Sequence, residues 1–261
     1  MPTRLTTWLD CPRRYRFAYL DRPQPPKGPP WAHNSIGAAV HSALADWFAL
    51  PVPRRTLPEA SRLVRKRWLG EGFRDTAQSA QAAERAVGWV HGYLGGVDPA
   101  LEPVGVERTV STPTGTLVLS GRVDRIDDRS EAGLVIVDYK TGRYVPEADD
   151  ARTSLALAVY AVAAARTLRR PCSQVELHHL PSGTRAVARH TPAGLERKIA
   201  EAESIGADCS RADDLYRAGD RGSAAFPPVP SKGCSWCDFR RHCAEGQAAA
   251  PDREPWSAVL E

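Results

Sequence analysis

Between Gly121 and Gly142 the chain reads GRVDRIDDRSEAGLVIVDYKTG. Two apolar runs, Leu117 to Ile126 and Leu134 to Tyr139, flank a polar turn that ends in glycine, and this pattern predicts a β-hairpin in the middle of the chain. Along a strand alternate side chains share a face, so Asp138 and Lys140 project together while Tyr139 points away. Asp124, on the partner strand, lies on the side of the turn that lets it join them. Two carboxylates and a lysine at the ends of neighbouring strands can hold a hard divalent cation and handle a water molecule, the minimum for metal-assisted hydrolysis. An acid and a lysine two apart on a strand also occur as a plain solvated face. Only five of the 35 basic residues are lysines, however, and one of them stands directly after Asp138-Tyr139 and before Thr-Gly.

The remaining segments supply what a sheet needs around it. Thr3 to Leu20 is an aromatic and basic helical stretch with a break or cap expected at Pro12. Pro23 to Pro30 forms a stiff link. Ile36, Val40, Ala43, Leu44, Trp47 and Phe48 recur at helical spacing before Pro51. His41 lies beside that stripe, where a histidine is more often a satisfied core or edge residue than a ligand. Two more helices, Pro58 to Leu69 and Thr76 to about Leu94, could form an insertion over the site. Period two then begins, with a strand over Val104 to Ser111 containing Glu107, a turn at Pro113 to Gly115, and the hairpin. Leu155 to Arg169 reads as a buried small-residue helix, and Gln174 to Leu180 with Thr184 to His190 as a second hairpin. Thr191-Pro192 opens a helix expected to end near Ala207. The order predicts an α/β fold, a central mixed sheet flanked by helices.

Three thiols, Cys234, Cys237 and Cys243, fall within ten residues near the C-terminus. No secretory segment is expected, because Arg4 and Asp10 interrupt the first residues. The longest apolar run, Leu155 to Ala165, is too short to span a bilayer. A cytoplasmic location follows as an expectation, and there a disulfide framework gives way to metal binding. Three thiolates need a fourth ligand to close a cubane cluster or a tetrahedral zinc site. Cys11, Cys172, Cys209 and His242 are the candidates, and Cys11 stands out by its aromatic and basic setting. An iron-sulfur cluster, zinc and unmetallated thiols are preferred in that order. The formal net charge of +4 is as compatible with a bland surface as with an anionic partner.

Together these features resemble the PD-(D/E)xK nuclease superfamily, specifically its RecB-like exonucleases with an iron-sulfur clasp. Gly121-Arg122-Val123-Asp124 is similar to the family's first acidic motif, Val137 to Gly142 to its (D/E)xK motif, and Gly37 to His41 to the helical histidine motif. One upstream cysteine plus C-x2-C-x5-C is similar to the clasp. The family often places Gln four residues before a Tyr on the next helix; here Tyr160 follows Ala156, and the nearest polar residue is Ser154.

The resemblance implies a restriction-endonuclease-like fold in one domain over 1–261, with a helical region at 36–98, a catalytic core at 102–207, and a clasp from 1–20 plus 226–246. It implies Mg²⁺ or Mn²⁺ on Asp124, Asp138, the Tyr139 carbonyl and His41. Lys140 would orient water or stabilise the phosphorus, Tyr160 would neighbour the site, and Glu107 would be an outer carboxylate or, as the pattern prefers, an exposed strand acid. Cys11, Cys234, Cys237 and Cys243 would hold a 4Fe-4S cluster, a structural tie between the chain ends. The implied activity is hydrolysis of DNA, as a single-strand exonuclease in repair or recombination. A weakly active nuclease-fold module that binds DNA within an assembly is the alternative. Tyr15, Arg13, Arg14 and Arg16 would contact single-stranded DNA by stacking and charge. With no phosphate loop in the chain, unwinding would need a helicase partner.

Overall fold

The computed structural model describes residues 2–129, 133–222 and 224–259. Helices α1 (Pro2–Asp10), α2 (Pro12–Tyr15), α3 (Ala32–Phe48), α4 (Leu57–Arg67) and α5 (Thr76–Leu94) precede strands β1 (Gly105–Pro113), β2 (Val118–Arg129) and β3 (Gly133–Lys140). Then come α6 (Ala148–Thr153), α7 (Leu155–Leu168), β4 (Cys172–His179), β5 (Thr184–Arg189), α8 (Pro192–Arg217) and α9 (Ala244–Ala249). Among the described residues no helix is long and apolar enough to cross a membrane.

The five strands form one sheet in sequence order. β2 and β3 are antiparallel, with Arg125 opposite Val137 and Ile126 opposite Ile136, while their connecting turn, 130–132, lies outside the described residues. β3 and β4 are parallel, and β4 and β5 antiparallel. The sheet is therefore mixed and flanked by helices, the expected α/β architecture of restriction-endonuclease-like proteins. Alternation along β3 divides two cores. Val135, Val137 and Tyr139 pack with α3, α4 and α5. Leu134 and Ile136 pack with α7 and with Val175 and Leu177 of β4.

Local chemistry explains the helix limits. Cys11 is extended, with φ of −169°, and Pro12 opens α2, a position where its missing N–H costs nothing. The break expected at Pro12 thus falls on the cysteine before it. Asp75 caps α5 by accepting from Gln78 N at 2.7 Å, and Ser154 caps α7 by accepting from Leu157 N at 3.3 Å. Two expectations are corrected. The segment after Gly142 is not only loop, because Glu147 and Asp150 form a reciprocal capping box that starts α6. The helix expected to end near Ala207 runs on to Arg217, because Cys209 and Ala212 continue the buried stripe of Ala202 and Ile205.

The chain divides into two compact units. One comprises Met1–Pro29, Pro113–Leu119 and Glu196–Glu254, the other Pro30–Thr112, Ser120–Leu195 and Pro255–Glu261.

Behind β3, in the second unit, lies a buried polar network. Arg125 donates to the hydroxyls of Tyr93 at 2.9 Å and Tyr139 at 3.2 Å. Tyr93 reaches His178 Nδ1 at 2.8 Å, and His178 Nε2 is 2.7 Å from Glu176. Burial, with Arg125 and Arg185, pushes the His178 pKa down against the pull of Glu176. The unfolded chain therefore takes up this proton first, and the histidine's contribution is present above about pH 6.5 and lost as pH falls below it. Burial opposes ionisation of Glu176, but its hydrogen bonds to His178, Arg129 and Gln174 hold it at about 2, so its own contribution is lost only at lower pH. Between pH 7 and pH 5 the urea midpoint of the wild type should fall more steeply than that of His178→Gln. Equal slopes would contradict the buried neutral histidine.

Candidate active site

The end of β3, the middle of β2 and the side of α3 meet in the second unit. Lys140 Nζ is 2.6 Å from Asp138 Oδ2. Tyr139 N donates to Asp124 Oδ2 at 2.8 Å, fixing that carboxylate against the strand edge. His41 Nδ1 is 3.3 Å from Asp124 Oδ1, and its ring meets Tyr139 edge to face at 5.7 Å. α3 can come this close because Gly37 stands one turn before His41, where a Cβ would lie 3.3 Å from Thr141 Oγ1. One ligand atom from each of His41, Glu107 and Asp124 lies within 4.8 Å of the others.

Glu107 is the residue that sequence patterning misjudged. Its side chain is 24% exposed, with Oε2 2.7 Å from Arg122 Nε, and it stands in the trio instead of facing solvent. Its φ of 46° breaks the extended backbone on which alternation depends, so period two could not place it. Tyr160 is a neighbour of the acids. Burial raises its pKa, and the charges of Asp138 and Asp124 raise it further. Ser154, the nearest polar residue to the family's glutamine position, is occupied as the α7 cap.

The electrostatics are those of crowded anions. Burial raises the pKa of Asp138, and Asp124 adds to it, against Lys140 and His41. Burial and Asp124 likewise raise Glu107 against Arg122 and His41. Burial disfavours the charged form of His41, yet the hydrogen bond and charge of Asp124, helped by Asp138 and Glu107, raise its pKa on balance. Carboxylates held together with one imidazole make a donor set of oxygens and nitrogen that suits a divalent cation, whose charge would relieve the crowding. A cavity of about 430 Å³ opens beside them, lined by His41, Glu107, Asp124, Arg67 and Arg122 among others.

Gly121 sets the floor. A Cβ there would lie 2.3 Å from Tyr160 Cε1, so Gly121→Ala should displace the ring, at a cost of about 1–3 kcal/mol in stability. Scanning calorimetry checks this, with Tyr160→Ala expected to restore most of the loss; an unchanged melting temperature for Gly121→Ala would contradict the packing.

The first unit gathers the cysteines. Cys11, Cys234, Cys237 and Cys243 line one cavity of about 310 Å³ with Arg13 and Arg14. Ser231 N and Gly246 N each donate to a sulfur at 3.4 Å, to Cys234 and Cys243 respectively. Burial raises the Cys237 pKa, and the neighbouring thiols Cys11 and Cys234 add to it, against Arg14. The other fourth-ligand candidates are committed elsewhere. Cys172 is in the core beneath the sheet, Cys209 is buried in α8, and His242 Nε2 is 2.9 Å from the Pro26 carbonyl. Among the described residues no three sulfurs draw within 4.8 Å of one another, whereas tetrahedral zinc would bring them to about 3.8 Å given its bond lengths. This donor set therefore fits a group larger than one ion.

The expected stacking of Tyr15 on DNA is overturned. Tyr15 is fully buried, its hydroxyl donating to Asp213 at 2.9 Å and accepting from Arg4 at 2.8 Å. Of its basic neighbours, Arg13 pairs with Glu245 at 2.7 Å and Arg16 with Asp21 at 3.4 Å. Sequence showed an aromatic among arginines; the partner that buries it lies 198 residues away.

A profile described as the PD-(D/E)XK nuclease superfamily matches residues 2–244. No curated protein matches the chain.

Proposed function

The chain belongs to the PD-(D/E)XK nuclease superfamily, and we propose that it is a metal-dependent deoxyribonuclease that degrades single-stranded DNA from an end. The observation that carries this reading is the Asp138–Lys140 pair at 2.6 Å beside the His41, Glu107 and Asp124 trio. Asp124, Asp138, His41 and the Tyr139 carbonyl would hold Mg²⁺ or Mn²⁺, and Glu107 joins them as a further donor. A bound ion of this kind lowers the pKa of its water and offsets phosphate charge in the transition state. Lys140 keeps its ammonium beside Asp138 and offers an N–H to the incoming water or to a phosphate oxygen, where charge develops. Asp124 stays oriented through Tyr139 N, and Tyr160 closes the side of the site next to the acids.

In the same reading Cys11, Cys234, Cys237 and Cys243 hold a 4Fe-4S cluster with a structural role. Four thiols around one cavity, two backbone N–H donors to sulfur, and two arginines in its lining support it, since thiolate-bound clusters are anionic. The protein would act in the cytoplasm in repair or recombination, with a separate helicase supplying unwound strands. Linear and circular single-stranded DNA of equal length, incubated with protein and Mn²⁺, test the end requirement. The linear strand should be degraded while the circle survives; a nicked circle would contradict the exonuclease reading.

A further inference from the structure

Resting on the nuclease reading, this inference concerns Arg122, which that chemistry leaves without a role. Three observations converge on its partner, Glu107. The pair, 2.7 Å apart, joins a guanidinium that is 71% exposed to a carboxylate that is 24% exposed, and a pair so open to solvent binds weakly. Glu107 also belongs to the trio whose ligand atoms lie within 4.8 Å. Its φ of 46° is a conformation that a residue with a side chain keeps only where its surroundings impose it, and such strain gathers at functional sites. The fold therefore spends strain to aim this carboxylate at His41 and Asp124, yet an exposed arginine holds it.

Arg122 lines the same cavity as His41 and Asp124. The other arginine of that lining, Arg67, is clamped to both oxygens of Asp46 at 2.7 and 2.8 Å, so Arg122 is the more readily exchanged. A phosphate diester offers a guanidinium two oxygens in the fork geometry it favours.

We propose that Arg122 is a phosphate-responsive latch: it holds Glu107 in the free protein, and a backbone phosphate of entering DNA takes the guanidinium and frees the Glu107 carboxylate as a donor beside His41 and Asp124. DNA binding then tightens metal binding and, by linkage, metal tightens DNA binding. Metal affinity stays low until a strand is in place.

Electron paramagnetic resonance of free Mn²⁺ during titration of the full chain tests this, with and without a saturating phosphorothioate single-stranded oligonucleotide and with the oligonucleotide alone as blank. In the wild type the oligonucleotide should tighten Mn²⁺ binding by about 5- to 150-fold, the usual span of such couplings. Arg122→Gln should bind Mn²⁺ more tightly than wild type without DNA and lose most of the coupling. A double-mutant cycle separates the latch from the mere removal of a positive charge: in a Glu107→Gln background, Arg122→Gln should bring no gain. A gain there equal to that in the wild-type background, or full coupling retained in Arg122→Gln, overturns the latch and leaves the nuclease reading standing. Wild type that binds Mn²⁺ no more tightly than Asp124→Ala overturns both.

Discussion

Asp138→Asn should lower DNA cleavage by at least about 10³-fold, since it removes a metal-binding charge and the partner that positions the lysine. Asp138 Oδ2 carries the ion pair to Lys140 at 2.6 Å and stands where burial and Asp124 already oppose its ionisation. The metal-free variant should therefore be at least as stable as the wild type, because an amide of the same shape relieves the crowding of anions. Activity and stability then move in opposite directions, the pattern of a site built for chemistry. Lys140→Ala provides the contrast. It should cost about 10²–10³-fold in kcat, the usual loss on removing one donor at a developing charge, with Mn²⁺ affinity retained. Isothermal titration of Mn²⁺ and single-turnover cleavage measure the two effects separately. Equal loss of metal binding in both variants would contradict the division of roles between acid and lysine.

The second large effect concerns the cysteines. Cys237→Ser should remove most of the iron from protein purified anaerobically and lower its melting temperature by roughly 10 °C or more, the scale expected when a metal group that ties distant segments together is lost. The four thiols come from residue 11 and from residues 234, 237 and 243, and line one cavity. α9 is only six residues long, and the segments Lys232–Trp236 and Arg240–His242 are short 3₁₀ turns. Such segments have little regular hydrogen bonding of their own, so a bound group would supply much of their order. Circular dichroism melting and iron analysis read this out. A colourless, iron-free wild type melting with the variant would contradict the cluster.

What could be read from the sequence was what depends on neighbours along the chain. Asp138 and Lys140 share a face because strand periodicity requires it, and Gly37 to His41 sits on a helix because Ile36, Val40, Ala43 and Leu44 mark one. Glu107, Tyr15 and α6 were not legible, each for a separate reason. Glu107 leaves the extended backbone at φ 46°, so alternation misassigns its face. Tyr15 is buried by Asp213 and Arg4, partners that no local pattern encodes. Residues Ala148–Thr153 carry no apolar stripe, and their helix is held by the capping pair of Glu147 and Asp150. The end of α8 was missed because its buried stripe continues through small side chains, Cys209 and Ala212, which carry a weak hydrophobic signal.

The central claim is that this chain hydrolyses DNA at the His41, Glu107, Asp124, Asp138 and Lys140 site. The most direct measurement is denaturing electrophoresis of 5′- and 3′-labelled single-stranded DNA after incubation with Mn²⁺, with Asp124→Ala and a chelator alongside. Shortened products from the wild type alone, abolished by the chelator, are the predicted result. No products from any labelled end with either Mn²⁺ or Mg²⁺, or the same products from Asp124→Ala, would contradict it and leave a DNA-binding module on a nuclease fold.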